Sequence, residues 1–189
     1  MTHDLPLAAV MAEIARARAA RPDLDWAAFD RCAPVTAAHG RRSSFPWHLT
    51  ASVFVVDADG RRTLLVEHPT LGRLLQPGGH LEPGETLRQA AARELREECG
   101  DAVADAAALG ELAVDVDLHA IPPNPRRGEP GHLHLDFCFL ARLPAEVQSG
   151  GELPTRWVAL DAEPVRGQAR LARIASRLSL DQSPGYRGG

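Results

Sequence analysis

The sequence predicts an α/β domain preceded by a short helical appendage, on three observations. A β-rich run, Leu49 to Asp57, is followed by a turn and a second β-rich run. The stretch Thr86 to Cys99 contains neither Gly nor Pro and is dense in Ala, Leu, Arg and Glu. Two further alternating segments, Leu112 to Leu118 and Leu133 to Leu140, precede a short strand and a closing helix. A chain of 189 residues, 44% of them hydrophobic, suits one domain with a small addition. The organisation read from the chain is a helical appendage over 1–46, a catalytic-size domain over 47–180 and a disordered polar tail over 181–189.

In the appendage, Leu7, Val10, Met11 and Ile14 recur at helical spacing, which predicts an amphipathic helix from about Leu5 to Ala20. Trp26 and Phe29 mark a second short helical piece, and Arg31 to Pro46 reads as loop. The appendage either packs on its own domain or joins two chains as a homodimer, and the first is favoured. The domain then opens with a hairpin: strand Leu49 to Asp57, turn Asp57-Ala58-Asp59-Gly60, strand Arg61 to His68. Pro77-Gly78-Gly79 is a backbone-permissive loop, and the helix over Thr86 to Cys99 closes at Gly100. A Pro-rich loop, Ile121 to Gly131, separates the next two strands. Arg156 to Leu160 is the last strand and Arg166 to Leu178 the last helix.

All 21 basic residues are arginine, against 25 acidic residues. The absence of lysine excludes a lysine Schiff base and a P-loop. Without a long basic run, a nucleic-acid surface is not expected, so the partner is a small molecule. The N-terminus has neither a signal peptide's apolar run nor the roughly 18 apolar residues of a membrane span, which predicts no membrane association and a cytoplasmic protein. Cys32, Cys99 and Cys138 are odd in number and widely spaced, and read as reduced, mostly buried thiols.

With about 100° per helical residue, Glu97 lies about −60° and Glu98 about +40° from Glu94. Leu87, Ala91 and Leu95 fall at roughly +20° to +100°, so three carboxylates share a narrow face beside the apolar seam. Like charges at such spacing repel by a few tenths of a kcal/mol per pair, roughly, and a divalent cation would reverse the sign. A solvated acidic face paired with Arg93 and Arg96 would account equally well for the glutamates taken alone.

The residues before them decide between the two. Gly79, five residues, Glu85, seven residues, then Arg93-Glu94-Leu95-Arg96-Glu97-Glu98-Cys99-Gly100 resembles the Nudix box of the Nudix hydrolases, with Asp101 in place of an apolar last position. The resemblance spans about Leu49 to Leu178. It implies a three-layer α/β/α sandwich with a mixed β-sheet, and metal-dependent hydrolysis of a pyrophosphate bond in a nucleoside diphosphate linked to another group, of nucleotide or nucleotide-sugar class. It also implies that Glu94, Glu97 and Glu98, with the Gly79 carbonyl, hold Mg²⁺ or Mn²⁺. Arg93 would orient the glutamates and Glu85 would brace the loop against the helix. Glu97 and Glu98 form the ligand core, and Glu94 is either ligand or base. Asp101 would weaken the packing after the helix without touching the chemistry.

Beyond the box, His132, His134 and Asp136 project to one strand face, a row that could ligate a transition metal, position a phosphate or supply a base. His48, His68, His80 and His119 flank the same cleft. Arg73, Arg126 and Arg127 are the candidate phosphate clamps, since no lysine exists to serve. Two alternatives use the same frame: a module that binds such a ligand without cleaving it, and chemistry like that of isopentenyl-diphosphate isomerase. The intact glutamates favour hydrolysis.

Overall fold

The computed structural model describes residues 5–69, 71–144 and 147–181. Strand β1 (Trp47–Val56) is buried along its whole length. It pairs in parallel with β6 (His132–Arg142), and β6 pairs antiparallel with β5 (Ala108–Ile121). On its other edge β1 is shared. Its C-terminal end pairs with β2 (Arg62–His68), while Thr50, Ala51 and Ser52 pair with β4 (Gly78–His80). The short β3 (Arg73–Leu75) and β7 (Thr155–Ala159) complete this side, both on β2. The mixed sheet thus has the order β3-β2-β1-β6-β5, and the fork between β2 and β4 is where Pro77-Gly78-Gly79 enters.

Successive side chains of β1 point to opposite faces, which builds two cores. Leu49, Ala51, Val53 and Val55 face a cluster that includes Leu87, Ala91 and Leu95 of α3 (Leu87–Cys99). Phe54 and Val56 face a second cluster with Leu171, Ile174 and Leu178 of α6 (Ala169–Asp181). The result is the expected α/β/α arrangement. Helices α1 (Leu7–Ala20) and α2 (Trp26–Asp30) join the α3 side: Val10, Ile14 and Trp26 are buried in that cluster, and Phe29 meets Phe137 edge-on. The Glu13 carboxylate accepts from the Leu87 amide, 3.0 Å away, at the first turn of α3. The N-terminal helices are therefore packed on the sheet through apolar contacts and through a cap on the carboxylate helix.

Thr86 caps α3 in a capping box with Gln89, and Gly100, at φ 98°, ends the helix. A Cβ there would meet the Gly150 backbone at 2.9 Å, so close approach as well as φ requires glycine. Asp101 corrects the expectation of weakened packing. It opens the short helix α4 (Asp101–Ala106) and pairs with Arg96, while Val103 fills the buried position. The closing helix expected over Arg166 to Leu178 is α6, which begins at Ala169 after a separate short helix α5 (Glu163–Arg166), and the strand expected over Leu112 to Leu118 runs from Ala108 to Ile121. Of the tail expected over 181–189, Asp181 ends α6 and 182–189 lie outside the described residues. Cys32, Cys99 and Cys138 are free and buried, and among the described residues no helix is long and apolar enough to cross a membrane.

Helix α6 is clamped by charge. Arg170, Arg173 and Arg177, on one helical face, all reach the fully buried Asp115 carboxylate, with contacts of 2.6 to 3.1 Å. An irregularity in the β5–β6 register between Ala113 and Asp115 accompanies the turn of Asp115 toward α6. Arg173 also pairs with Asp117, and Arg170 with Asp136 at 2.6 Å. Burial opposes ionisation of both aspartates. At Asp117 the His119 hydrogen bond and the Arg170 and Arg173 charges outweigh it, and at Asp136 Arg170, Ser52 and Thr50 do so, leaving both below the usual carboxylate range. A depressed carboxyl stabilises the fold above its unfolded pKa, and this contribution is lost as pH falls toward the folded value. Urea midpoints are therefore expected to drop as pH falls below about 4, the ordinary aspartate pKa. In Asp117→Asn this dependence should be shallower, and an unchanged pH profile would contradict the assignment.

Candidate active site

The site is built where α3 passes beneath β4. Side chains of Glu94, Glu97 and Glu98 emerge from one face of α3, as the helical spacing predicts, with Glu94 and Glu98 half-buried and Glu97 outermost. Glu94 lies directly under Gly79: a Cβ built on that glycine would overlap the Glu94 carboxylate. Glu98 accepts a hydrogen bond of 2.9 Å from the Gly78 amide. Glycine at 79 is thus a requirement of carboxylate against backbone, whereas at 78 it is the close approach of Ser52 and Ala51 on β1 that leaves no room for a side chain.

Arg93 ties the box together. Its guanidinium donates to Glu85 (2.9 Å), Glu94 (3.0 Å), Glu97 (2.9 Å) and the His80 carbonyl (2.7 Å). Glu85 also accepts from the Glu82 amide, so it joins the loop to the helix through Arg93. One cation cannot neutralise this set. Burial, countered by Arg93 and reinforced by Glu97 and Glu85, raises the Glu94 pKa above its usual value. The Glu98 carboxyl is pushed up to about 7, first by burial and then by Glu94, Glu152 and Glu97, against the Gly78 hydrogen bond. An all-oxygen donor set with surplus negative charge fits a hard divalent cation.

Beside the box loop lies a cleft of about 560 Å³, walled by Arg41 and Phe45 from the segment before β1, by Leu81 and Glu82, and by Arg127 and Glu129. The Pro-rich segment is the tip of the β5–β6 hairpin, closed by an Asn124–Glu129 bridge, and Arg42 pairs with Glu129 at 2.7 Å across the wall. Of the three candidate clamps, Arg127 lines this cleft, Arg126 is exposed at the hairpin tip, and Arg73 is exposed on β3 opposite His68.

His132, His134 and Asp136 share a face, but Asp136 departs from the expected ligand-facing role. It is buried and occupied by Thr50 (2.7 Å), Ser52 (2.5 Å) and Arg170 (2.6 Å), so it anchors α6 instead of meeting a ligand. His68 also departs, since it sits at the end of β2 and accepts from the Leu71 amide. His48, His80, His119, His132 and His134 do converge, their rings in mutual contact. The sequence reading missed Arg170, Arg173 and Arg177. Their spacing of three and four residues, opposite the alternating Asp115 and Asp117, was the available signal.

A family model described as the NUDIX domain matches residues 46–178. The chain belongs to the Nudix family. Among curated relatives, the Nudix domain is 37% identical over 116 residues to "Probable DHNTP pyrophosphohydrolase" of Lactococcus lactis subsp. cremoris (strain MG1363), covering 61% of this chain and 66% of that one. It is 52% identical over 58 residues to "Phosphatase NudJ" of Escherichia coli (strain K12), covering 30% and 37% respectively. The matches thus span just under two thirds of the first relative's length and little over a third of the second's. Among solved structures, the E. coli dihydroneopterin triphosphate pyrophosphohydrolase superposes with a TM-score of 0.55 at 22% identity, covering 70% of this chain and 95% of that one. A C. elegans Ap4A hydrolase gives 0.50 at 20%, covering 70% and 96%. At these identities the structural likeness shows that the Nudix domain has the same fold.

Proposed function

We propose that this chain hydrolyses a phosphoric anhydride bond in a small nucleotide-like molecule, using a divalent cation held by α3. The observation that carries this reading is the set of half-buried carboxylates Glu94 and Glu98 seated against Gly79 and Gly78, with Arg93 holding Glu94, Glu97 and Glu85 in one arrangement. Glu94, Glu97, Glu98 and the Gly79 carbonyl would hold Mg²⁺ or Mn²⁺. When bound, the cation neutralises phosphate oxygens and acidifies water. Arg93 keeps Glu94, Glu97 and Glu85 from relaxing apart and, through the His80 carbonyl, fixes the end of β4. In the reaction a water oxygen bonds to phosphorus, the bridging P–O bond breaks with its electrons leaving on the departing phosphate, and a glutamate takes the water's proton. Glu97 and Glu98 serve as the ligand core and Glu94 as ligand or base. The adjoining cleft, with Arg127 on its wall, is placed to take the rest of the substrate.

The relative's name makes DHNTP one member of the test panel, beside nucleoside triphosphates, dinucleoside polyphosphates and nucleotide-sugars. Release of phosphate, pyrophosphate or nucleoside monophosphate is expected from at least one member with Mg²⁺ or Mn²⁺, and loss of that release in Glu98→Gln. Inactivity on the whole panel with both metals, or turnover unaffected by Glu98→Gln, would sink the reading.

A further inference from the structure

On the face of the sheet opposite α3, three strands bring a second donor set together. In the register of β1 with its neighbours, His48 lies beside His134 of β6, and His80 of β4 lies beside Thr50. His80 follows Gly79, so its side chain points to the face opposite that occupied by Glu94. The ring centroids are 5.0 Å apart for His48 and His80, 4.6 Å for His48 and His134, and 5.0 Å for His80 and His134. One ring nitrogen from each lies within 4.8 Å of the other two.

The hydrogen bonds fix which nitrogens of His48 and His134 carry lone pairs. His48 is fully buried, and its Nδ1 faces the Ser44 carbonyl at 3.0 Å, where it must donate. Nε2 of His48 is then a bare acceptor, buried and without a partner. Nε2 of His80 is likewise buried and unpartnered. Nδ1 of His132 donates to the Pro130 carbonyl at 2.8 Å, so its Nε2 accepts from Nε2 of His134 at 3.2 Å. That leaves Nδ1 of His134 as a lone pair. A backbone carbonyl on the far nitrogen is the arrangement that orients metal-ligating histidines. Asp136 and Asp117, the carboxylates nearby on β6 and β5, are already engaged, Asp136 by Thr50, Ser52 and Arg170, and Asp117 by His119 and Arg173.

We propose that His48, His80 and His134 form a three-nitrogen site for a divalent transition metal of the Zn²⁺ class, separate from the carboxylate site on the other side of β4. Imidazole suits such borderline metals and carboxylate suits Mg²⁺, so the two sites sort different cations. At Zn–N distances of about 2.0–2.1 Å, tetrahedral ligand atoms stand about 3.4 Å apart, so occupancy would draw the three nitrogens, now within 4.8 Å of one another, closer together. Three protein nitrogens leave a fourth position for water or a substrate atom. Through the His80 carbonyl, which accepts from Arg93, the occupied site would also pin the strand that carries Gly79.

The site stands independently of the carboxylate reading, and the test separates the two. The purified full chain is titrated with Zn²⁺ in excess Mg²⁺, alongside His80→Gln/His134→Gln and Glu94→Gln/Glu98→Gln. One equivalent of Zn²⁺ is expected to bind to the wild type and to the glutamate variant. In the histidine variant the affinity should fall by about 100-fold or more, beyond the roughly 10–100-fold of an outer-shell change. Zinc-edge X-ray absorption on the wild type should show three imidazole ligands, whether or not the histidine variant folds. Absence of stoichiometric binding, survival of binding in a folded histidine variant, loss of binding in the glutamate variant, or an oxygen-only ligand shell would each overturn the proposal.

Discussion

Glu98→Gln is expected to lower kcat by about 10³-fold while leaving the fold intact. The amide keeps an oxygen that can accept from the Gly78 amide, so the helix stays docked on β4. It removes the charge that would bind the cation, and with it one of three crowded carboxylates. Stability in the metal-free state should therefore be equal to or above that of the wild type, because burial and the Glu94, Glu152 and Glu97 charges all disfavour the ionised Glu98. Loss of activity with retained stability separates this glutamate from a structural one. A variant that unfolds, or one that turns over within a few-fold of the wild type, would contradict its assignment. The kinetic arm is read from product release under saturating Mg²⁺, and the structural arm from circular dichroism and urea unfolding.

The largest expected stability effect lies away from the reaction, at Asp115. This carboxylate has no exposed surface and receives Arg170, Arg173 and Arg177. Asp115→Ala removes the one carboxylate that three guanidinium groups share, leaving Arg170 only Asp136 and Arg173 only Asp117 beside the sheet, and breaking a buried pair in this way costs about 3–5 kcal/mol. The urea midpoint should fall accordingly without a change in slope, as α6 loses the charge that holds it over Phe54 and Val56. A loss under about 1 kcal/mol would show that α6 is held by its apolar face alone.

The box was legible because its residues have fixed spacing along one loop and one helix, so the order and spacing of Gly79, Glu85, Arg93, Glu94, Glu97 and Glu98 sufficed to place them relative to one another. Helical geometry also foretold that the three glutamates would share a narrow face bordering the apolar seam. The meeting of those glutamates with β4 was legible only through the family resemblance, which joins them to the Gly79 carbonyl. Residues Gly78 to His80 are too short a strand to announce themselves, and their pairing with Thr50 to Ser52 is long-range. Asp136 shows the same limit. Strand alternation correctly put it on the face of His132 and His134, but its partners Thr50, Ser52 and Arg170 come from distant segments and turn it from a ligand candidate into an anchor. The histidine row was half visible: His132 and His134 share a strand, whereas His48 and His80 arrive from two others. His68, grouped with them by its position at a strand end, is carried to a different part of the sheet by the fork between β2 and β4.

The proposed phosphoric anhydride hydrolysis depends on a cation held by the α3 carboxylates. Its most direct test is ³¹P NMR of the substrate panel with the wild-type protein in ¹⁸O-enriched water, in EDTA and then with added Mg²⁺. No conversion is expected in EDTA, with conversion of at least one panel member on adding Mg²⁺ and ¹⁸O bonded to phosphorus in one product. Conversion that persists in EDTA, or a panel left unchanged with Mg²⁺ and with Mn²⁺, would contradict it.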